Sequence, residues 1–294
     1  MWRNTNMQKI TPHLWFDKEA RAAAEFYVSV FDDSRINFIN RIPDTPSGDA
    51  ELVGFQIMGY EFMAISAGPY FKINPSISFH CRCGTTAEVD QIWAKLSPGG
   101  TAMMELGEYP FSKRYGWIQD KYGVSWQIIY TEGEFGQRIM PALMFVGAVC
   151  GHTEEALAFY ASVFKNTGYE VLARYEKGEE PDREGSVKYA QFALEGQEFA
   201  AMDSAWKHEF GFNEGVSFIV NCKDQLEIDY FWEKLSAVAE AEQCGWIKDK
   251  YGVSWQIIPA NMGELIGKNP EKTTPVMLKM KKINIADLKK AGEK

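Results

Sequence analysis

Polar side chains able to bind or transform a small molecule recur at every second position of three short segments in the first half of the chain. The alternate positions are occupied by Thr11, His13 and Trp15, then by Ser76, Ser78, His80 and Arg82, and then by Ser125, Gln127 and Ile129, of which only Ile129 is wholly apolar. Imidazole, guanidinium and amide groups form directed hydrogen bonds, and imidazole can also act as a general base or ligate a metal. Alternate residues of a β-strand share one face, so each segment would present these groups on one side of a sheet. The pattern predicts a polar, partly aromatic binding surface.

The equivalent positions in the second half of the chain are more apolar. They are Met140, Ala142 and Met144, then Gly215, Ser217, Ile219 and Asn221, and then Ser254, Gln256 and Ile258. Both histidines are missing from this set, whereas the amide is kept at Gln256. We therefore expect a polar ligand to occupy the first half preferentially, with the second half acting mainly as a structural partner.

An internal duplication relates the two halves. Residues 116 to 129 read GWIQDKYGVSWQII and residues 245 to 258 read GWIKDKYGVSWQII, so the two segments differ only at Gln119 and Lys248. FYVSVF at 26 to 31 likewise matches FYASVF at 159 to 164. The second copy lacks about ten residues between Ser236 and Trp246. The sequence therefore predicts two similar domains, the second with a shortened loop and strand.

Each copy holds two units in which a strand is followed by a helix and three strands. The first unit shows alternation at 8 to 16, a helical apolar stripe at 18 to 31, and extended runs near 34 to 41, 51 to 58 and 61 to 66. The second starts with a strand at 76 to 83 and continues through a helix and three more strands. The second copy repeats this order, with helices near 153 to 164 and 224 to 235. The periodicities predict an α+β chain of four βαβββ units.

Composition excludes several classes of protein. The chain has 294 residues, 46% of them hydrophobic and 24% charged, as expected of a folded protein. Its net charge of −9 disfavours nucleic-acid binding. No apolar stretch approaches the roughly 20 residues of a transmembrane helix, and the first residues lack the apolar core of a secretory signal. Five cysteines form no disulfide pattern, and the Cys81-x-Cys83 pair is expected in the core. We expect a reduced, cytoplasmic protein with no nucleic-acid or membrane partner.

A family resemblance is carried by ITPHLWFDKEARAAAEFYVSVF at 10 to 31 and by the two GW-I-x-DKYGVSWQII segments. The chain resembles the vicinal-oxygen-chelate superfamily of glyoxalase and bleomycin-resistance proteins. Within it, the chain is similar to the PhnB-like family often labelled 3-demethylubiquinone-9 3-methyltransferase. The resemblance implies tandem glyoxalase-like domains at 7 to 135 and 137 to 262, followed by a helical tail at 263 to 294.

The resemblance also implies an architecture for each copy. Its two βαβββ units would form one cup-shaped mixed sheet, with the helices outside and a ligand cavity inside. The tandem copies would then mimic the dimer of single-domain relatives, so the chain is expected to be a monomer with an internal pseudo-dimer, or a homodimer.

The same resemblance bears on metal binding. It places Gln127 and Gln256 where metal-using members carry a glutamate ligand, with Ser76 and Thr11 at or near the other ligand positions. Neutral amides and hydroxyls supply little of the charge compensation that holds a divalent metal, so we expect the metal site to be eroded and no cofactor to be bound. An alternative site of His13, His80 and Gln127 stays open if the two rings converge.

Two functions remain open at this stage. The leading one is binding of a small organic molecule, with a set of candidate residues comprising His13, Trp15, Ser76, His80, Arg82, Gln127 and Gln256. The alternative is a metal-dependent enzyme, either an isomerase, a lyase or a dioxygenase, in which His13 or His80 is a ligand or general base. Methyl transfer is not expected, because the order of elements does not predict a doubly wound sheet with a Gly-rich loop. The DKYG segments are expected to form structural turns.

Overall fold

The computed structural model describes residues 8 to 45, 47 to 133 and 135 to 293. Residue 7, at which the first predicted domain begins, lies outside the described part. Units 1 and 2 consist of β1 (Ile10–Phe16), α1 (Ala20–Val30), β2 (Arg35–Thr45), β3 (Gly48–Ile57) and β4 (Tyr60–Ser66), then β5 (Ile77–Cys83), α2 (Thr86–Leu96), β6 (Thr101–Tyr109), β7 (Ser112–Gln119) and β8 (Ser125–Tyr130). The element order predicted for the first half is confirmed.

The second half repeats the order with one loss. Units 3 and 4 consist of β9 (Ile139–Val146), α3 (Thr153–Val163), β10 (Gly168–Arg174), β11 (Val187–Leu194) and β12 (Gln197–Ser204), then β13 (Val216–Cys222), α4 (Gln225–Leu235), β14 (Trp246–Lys248) and β15 (Ser254–Pro259). Short 3₁₀ turns lie at Gly147–Val149 and Ala239–Ala241. The second of these occupies the shortened segment, so unit 4 has no counterpart of β6 among the described residues.

The helices form where apolar residues recur at helical spacing, and α2 and α4 also have an N-capping residue. In α1 the buried residues are Ala20, Ala23, Ala24, Tyr27 and Val30, which follow the helical repeat and form the face that packs on the sheet. The α2 helix begins at Thr85, whose hydroxyl accepts a hydrogen bond from the backbone N–H of Glu88, and α4 begins in the same way at Asp224. Local sequence therefore fixes these helix boundaries.

The strands form two mixed sheets with the helices outside. Sheet A has seven strands in the order β14-β15-β13-β1-β4-β3-β2, and sheet B has eight in the order β10-β11-β12-β9-β5-β8-β7-β6. In the middle of sheet A, β1 pairs antiparallel with β13, and in the middle of sheet B, β5 pairs antiparallel with β9. The predicted α+β class with two mixed sheets is confirmed.

The composition of the sheets corrects one expectation. Sheet A combines unit 1 with unit 4, and sheet B combines unit 2 with unit 3, so neither sheet is built from the two units of one copy. The physical reason is that consecutive units share a hydrophobic core instead of a sheet. Phe62 of unit 1 packs edge-on against Phe79 of unit 2 at 5.0 Å, and Tyr160 of unit 3 packs against Trp255 of unit 4 at 5.7 Å. The ranges 7 to 135 and 137 to 262 stay a prediction for folding units.

The described residues after β15, which we call the tail, contain three helices. They are α5 (Met262–Gly267), α6 (Pro270–Leu278) and α7 (Ile285–Gly292). The backbone N–H groups of Cys244 and Gly245 donate to the carbonyls of Met280 and Lys281 at 2.8 and 2.7 Å. These bonds lie just before β14, at the edge of sheet A where unit 4 lacks a counterpart of β6. At the other edge of sheet A, α6 packs against β2. The tail thus protects the edge that the deletion exposed.

The repeated DKYG segments are structural, and the carboxylates of Asp120 and Asp249 explain their repetition. Asp249 Oδ1 accepts from the backbone N–H of Tyr251 and Val253 at 2.9 and 3.0 Å, and Oδ2 accepts from Trp255 Nε1 at 2.9 Å and from the Tyr160 hydroxyl at 2.8 Å. Asp120 binds the equivalent two N–H groups and Trp126 Nε1. In each copy, one carboxylate thus binds both the backbone N–H groups of the turn and the indole N–H of the tryptophan in the following strand.

Replacing Asp249 with alanine is expected to lower the free energy of unfolding by about 3 kcal/mol, because the buried donors of Trp255 and Tyr160 lose their acceptor. Urea denaturation followed by circular dichroism measures the change, with the exposed Asp32→Ala as the matched control. A loss for Asp249→Ala no larger than that of the control would refute the structural role of this carboxylate.

None of the helices among the described residues is long and apolar enough to cross a membrane. Cys81 and Cys83 are buried as free thiols, in agreement with the expected place in the core.

Candidate functional site

Each sheet presents its polar candidates on the face away from the helices. Leu14 and Phe16 of β1 lie in the hydrophobic core, so His13 and Trp15 point to the other face. We name the face of sheet A that carries His13, Trp15 and Gln256 cup A. We name the face of sheet B that carries His80, Arg82 and Gln127 cup B.

A hydrogen-bonded chain orders the amide of Gln127 in cup B. The Tyr115 hydroxyl donates to Gln127 Oε1 at 2.6 Å, and Gln127 Nε2 donates to Ser78 Oγ at 2.9 Å. Burial raises the pKa of Tyr115 far above its ordinary value, so its hydroxyl stays protonated and is a permanent donor. The two bonds fix which end of the amide faces each neighbour.

His80 lies beside this chain with one nitrogen unused. Its Cα partner across β8 is Gln127, and its ring is parallel to that of Tyr189, with 6.0 Å between the ring centroids. The Nε2 atom is buried and has no hydrogen-bond partner among the described residues. Burial, with a smaller effect from the charge of Arg82, lowers the pKa of His80 to about 3. The imidazole is therefore neutral near pH 7 and can accept a hydrogen bond at a nitrogen that is not protonated.

Arg82 forms an ion pair at one end of cup B. Its Nη1 lies 2.5 Å from Glu198 Oε2 and 3.2 Å from the carbonyl oxygen of Gln137, and the residue is 8% exposed. Because the carboxylate of Glu198 balances the guanidinium, the pair adds hydrogen-bond donors without a net charge. Ser76 lies just before β5 and donates from Oγ to the carbonyl of Gly211 at 3.1 Å, so its hydroxyl holds a loop.

Cup A contains the other predicted residues and is more aromatic. His13 pairs with Ser217 across β13, and its ring meets the ring of Trp246 edge-on, with the centroids 5.5 Å apart. Gln256 Nε2 donates to Ser217 Oγ at 3.0 Å, which matches the bond from Gln127 to Ser78 in cup B. Burial lowers the pKa of His13 to about 3. Trp15 Nε1 donates to the carbonyl of Gly68 at 2.8 Å.

The structure therefore divides the predicted site into two. It brings His80, Arg82 and Gln127 together in one cup, and His13, Trp15 and Gln256 together in the other. The alternative site of His13, His80 and Gln127 does not form, because β1 belongs to sheet A whereas β5 and β8 belong to sheet B.

The side chains present do not fit a resident divalent metal. Across the described ranges, no three His, Cys, Asp or Glu side chains group so that they could hold a metal ion. Each cup offers one imidazole together with neutral amides and hydroxyls, and the carboxylate of Glu198 in cup B is already paired with Arg82. Such a set lacks the charge compensation that a divalent cation requires.

The contrast expected between a polar first cup and an apolar second cup is wrong in its premise. Met140 is the Cα partner of His80 and therefore lies in cup B, together with Ala142 and Met144 of the same strand. Ile219 is the Cα partner of Thr11 and lies in cup A. Cup B thus combines polar strands of the first half with the apolar β9 of the second half, whereas cup A combines β1 with β13, on which Ile219 lies between Ser217 and Asn221.

Sequence reasoning missed several residues that line the cups. Tyr115 directly precedes the first repeated GW segment, and Trp246 is the tryptophan of the second. Both lie on a strand that pairs with the last strand of its unit, and this pairing puts them on the same face as Gln127 and Gln256. Tyr189 and Glu198 had no such signal, because they reach cup B only through the pairing of unit 3 with unit 2.

Comparison with known proteins supports the fold and identifies the family. The family model described as 3-demethylubiquinone-9 3-methyltransferase matches residues 8–129 and again 137–258. The chain is similar to a solved structure described as a putative 3-demethylubiquinone-9 3-methyltransferase, PhnB protein, from Bacillus cereus. The two are 40% identical over 42% of this chain and 100% of that chain, with a TM-score of 0.40.

A second solved structure covers both halves. The chain is similar to a mutant of glyoxalase I from Zea mays, with 12% identity over 86% of this chain and 94% of that chain and a TM-score of 0.50. At this identity the likeness concerns the fold alone, and it confirms the expected glyoxalase-like architecture. Among curated proteins none matches this chain. The two matches of the family model span most of the sequence, and the chain therefore belongs to the family described as 3-demethylubiquinone-9 3-methyltransferase, with one copy of the family's unit in each half.

Proposed function

We propose that this protein binds a small organic molecule in cup B, without a resident divalent metal, and that His80 is its main hydrogen-bonding partner. The observation that carries the proposal is the buried and unpartnered Nε2 atom of His80. Leaving a polar atom buried without a partner costs free energy, so such an atom on the inner face of a sheet indicates a place for a ligand group.

The surroundings of His80 indicate what kind of molecule would fit. Tyr189 offers an aromatic face parallel to the imidazole, and the ordered chain of Tyr115, Gln127 and Ser78 supplies a polar wall. A neutral imidazole accepts a hydrogen bond, so the ligand would present a hydroxyl or N–H group to Nε2. Convergent polar groups within a mainly apolar surface are typical of sites for small organic molecules.

Ligand binding is proposed here in preference to methyl transfer. Methyltransferases that use S-adenosylmethionine typically have one doubly wound parallel sheet, with the cofactor at the end of its strands. The two sheets of this protein are mixed, and each combines the strands of one unit from the first half of the chain with those of one unit from the second half. The family description therefore names the lineage of the chain, and its reaction is not part of the proposal.

The proposal is tested by screening a library of small polar fragments against the full-length protein by saturation-transfer NMR. We expect the hits to bind at least tenfold more weakly to His80→Gln than to the unchanged protein, and equally well to the control His152→Gln, because His152 is exposed. Elemental analysis of protein purified without an affinity tag is expected to show no stoichiometric divalent metal. Hits that bind equally to His80→Gln, or a stoichiometric metal that is lost in that variant, would overturn the proposal.

A further inference from the structure

Three sulfur-containing side chains come together in the hydrophobic core on the helix side of sheet B. Cys81 and Cys83 are alternate residues of β5, so both thiols lie on the face opposite to His80 and Arg82. The Cys81 thiol donates to Sδ of Met58 at 3.6 Å, and Sγ of Cys83 lies 3.8 Å from the carbonyl oxygen of Cys81. We call Met58, Cys81 and Cys83 the sulfur cluster.

Met58 has an unusual backbone conformation for a methionine. It forms the two-residue turn between β3 and β4 together with Gly59, and the φ angles of the two residues are +48° and +80°. Turns of this kind favour asparagine, aspartate and glycine, because a larger side chain is strained at positive φ. Met58 is nevertheless only 6% exposed, and its thioether is directed at Cys81 in the core. Strain at a residue whose side chain meets a thiol indicates a role for its sulfur.

The second copy of the chain shows that packing does not require these sulfurs. The turn between β11 and β12 also has positive φ at both residues, but Glu195 stands there in the place of Met58. Val220 stands in the place of Cys81 and is equally buried in the core. Of the three corresponding positions in the second copy, Cys222 alone carries sulfur. The grouping of two thiols with a thioether is therefore a property of units 1 and 2.

The surroundings of the sulfur cluster suit a metal that prefers sulfur. The Cys83 thiol, and then burial, raise the pKa of Cys81 well above its ordinary value, so Cys81 is an uncharged thiol near pH 7. The guanidinium of Arg138 acts on Cys81 in the opposite sense and supplies a nearby positive charge for a thiolate. Gly59 is exposed, so the sulfur cluster lies beneath a single surface turn. Thiolate and thioether ligands together select Cu(I) over the divalent cations that prefer nitrogen and oxygen.

We propose that the sulfur cluster binds one Cu(I) ion through the two thiols and the thioether. The ion displaces the protons of Cys81 and Cys83 to solvent, and Met58 supplies a neutral third ligand. No electron is transferred, because the copper enters as Cu(I) and stays Cu(I). This site lies in the core and not in a cup, so it is independent of the function proposed for cup B.

Competition for Cu(I) against the chelator bathocuproine disulfonate tests the proposal on full-length, reduced protein without oxygen. The partly exposed Cys150 and Cys244 are first replaced with alanine, so that their thiols cannot bind copper. We expect one Cu(I) per chain, with only sulfur ligands in the X-ray absorption spectrum. Cys81→Val should weaken binding at least about a hundredfold, because it leaves a single thiol, and Met58→Leu should weaken it about tenfold.

Cys222→Ala is the matched control, because it removes the corresponding buried thiol of the second copy, and it should leave the affinity unaltered. Cys81→Val introduces the residue that unit 4 carries, so we expect it to fold. Thermal unfolding followed by circular dichroism checks this, and Cu(I) should raise the Tm of the parent protein but not that of Cys81→Val.

Several results would overturn the proposal. They are the absence of Cu(I) binding in the competition, nitrogen or oxygen ligands in the absorption spectrum, an equal loss of affinity in Cys222→Ala, or unaltered affinity in both Cys81→Val and Met58→Leu. His80→Gln should bind Cu(I) as the parent protein does. The fragment screen reports on cup B alone, so the two proposals fail through different measurements.

Discussion

Lowering the pH from about 7 to about 4.5 is expected to reduce the free energy of unfolding by about 5 kcal/mol through His13 and His80 alone. The pKa of each residue is lowered by burial from 6.5 to about 3 in the folded protein. Between these values the unfolded chain binds two protons that the folded protein does not, so stability falls as the pH falls. At about pH 4.5 each histidine contributes about 2.7 kcal/mol to the loss, since one pKa unit corresponds to about 1.4 kcal/mol.

Urea denaturation at a series of pH values, compared between the unchanged protein and the double variant His13→Gln, His80→Gln, isolates this contribution. Carboxyl groups titrate in the same range, and burial raises the pKa of Asp120 and Asp249, so their protonation acts in the opposite direction. These groups are the same in both proteins and cancel in the difference. The control His152→Gln should retain the full acid loss. If the double variant loses as much stability as the unchanged protein, the two imidazoles do not titrate as described.

The second large effect concerns the first half of the chain on its own. A polypeptide of residues 8 to 135 is expected to form a dimer, with no stable monomer, because β1 and β5 would both lose their antiparallel neighbours β13 and β9. In a dimer, β1 of one copy can pair with β5 of the other, since β5 opens unit 2 as β13 opens unit 4. The two resulting sheets would each have eight strands, and no edge would be left in the middle of a cup.

Multi-angle light scattering at several protein concentrations measures this outcome, with the full-length chain as the control. The full-length chain is expected to have the mass of one copy, because its two halves complete each other's sheets. A folded, monomeric half with cooperative unfolding would show that the sheets do not need the second half.

The sequence by itself determined the local structure and the repeat. Alternation and helical spacing fixed the strands and helices, since these depend on which face of each element is apolar. His13 and Trp15 were expected to share one face of the first strand, and in the structure both lie on the face opposite to the core residues Leu14 and Phe16. The DKYG segments were expected to be structural turns, and the carboxylates of Asp120 and Asp249 give the reason.

Only the tertiary structure decided which units share a sheet. The inner strands β1, β5, β9 and β13 all begin a unit and have similar edges, so nothing local distinguishes the pairing of β1 with β13 from its pairing with β5. Contacts between residues far apart in sequence decide which units share a sheet. Phe62, Phe79 and Trp126 form an aromatic core between the helix-facing sides of units 1 and 2. Because the two units pack face to face in this way, their first strands pair with strands of the other half of the chain. For this reason His13 and His80, both correctly placed on inner faces by their sequence, lie in two different cups.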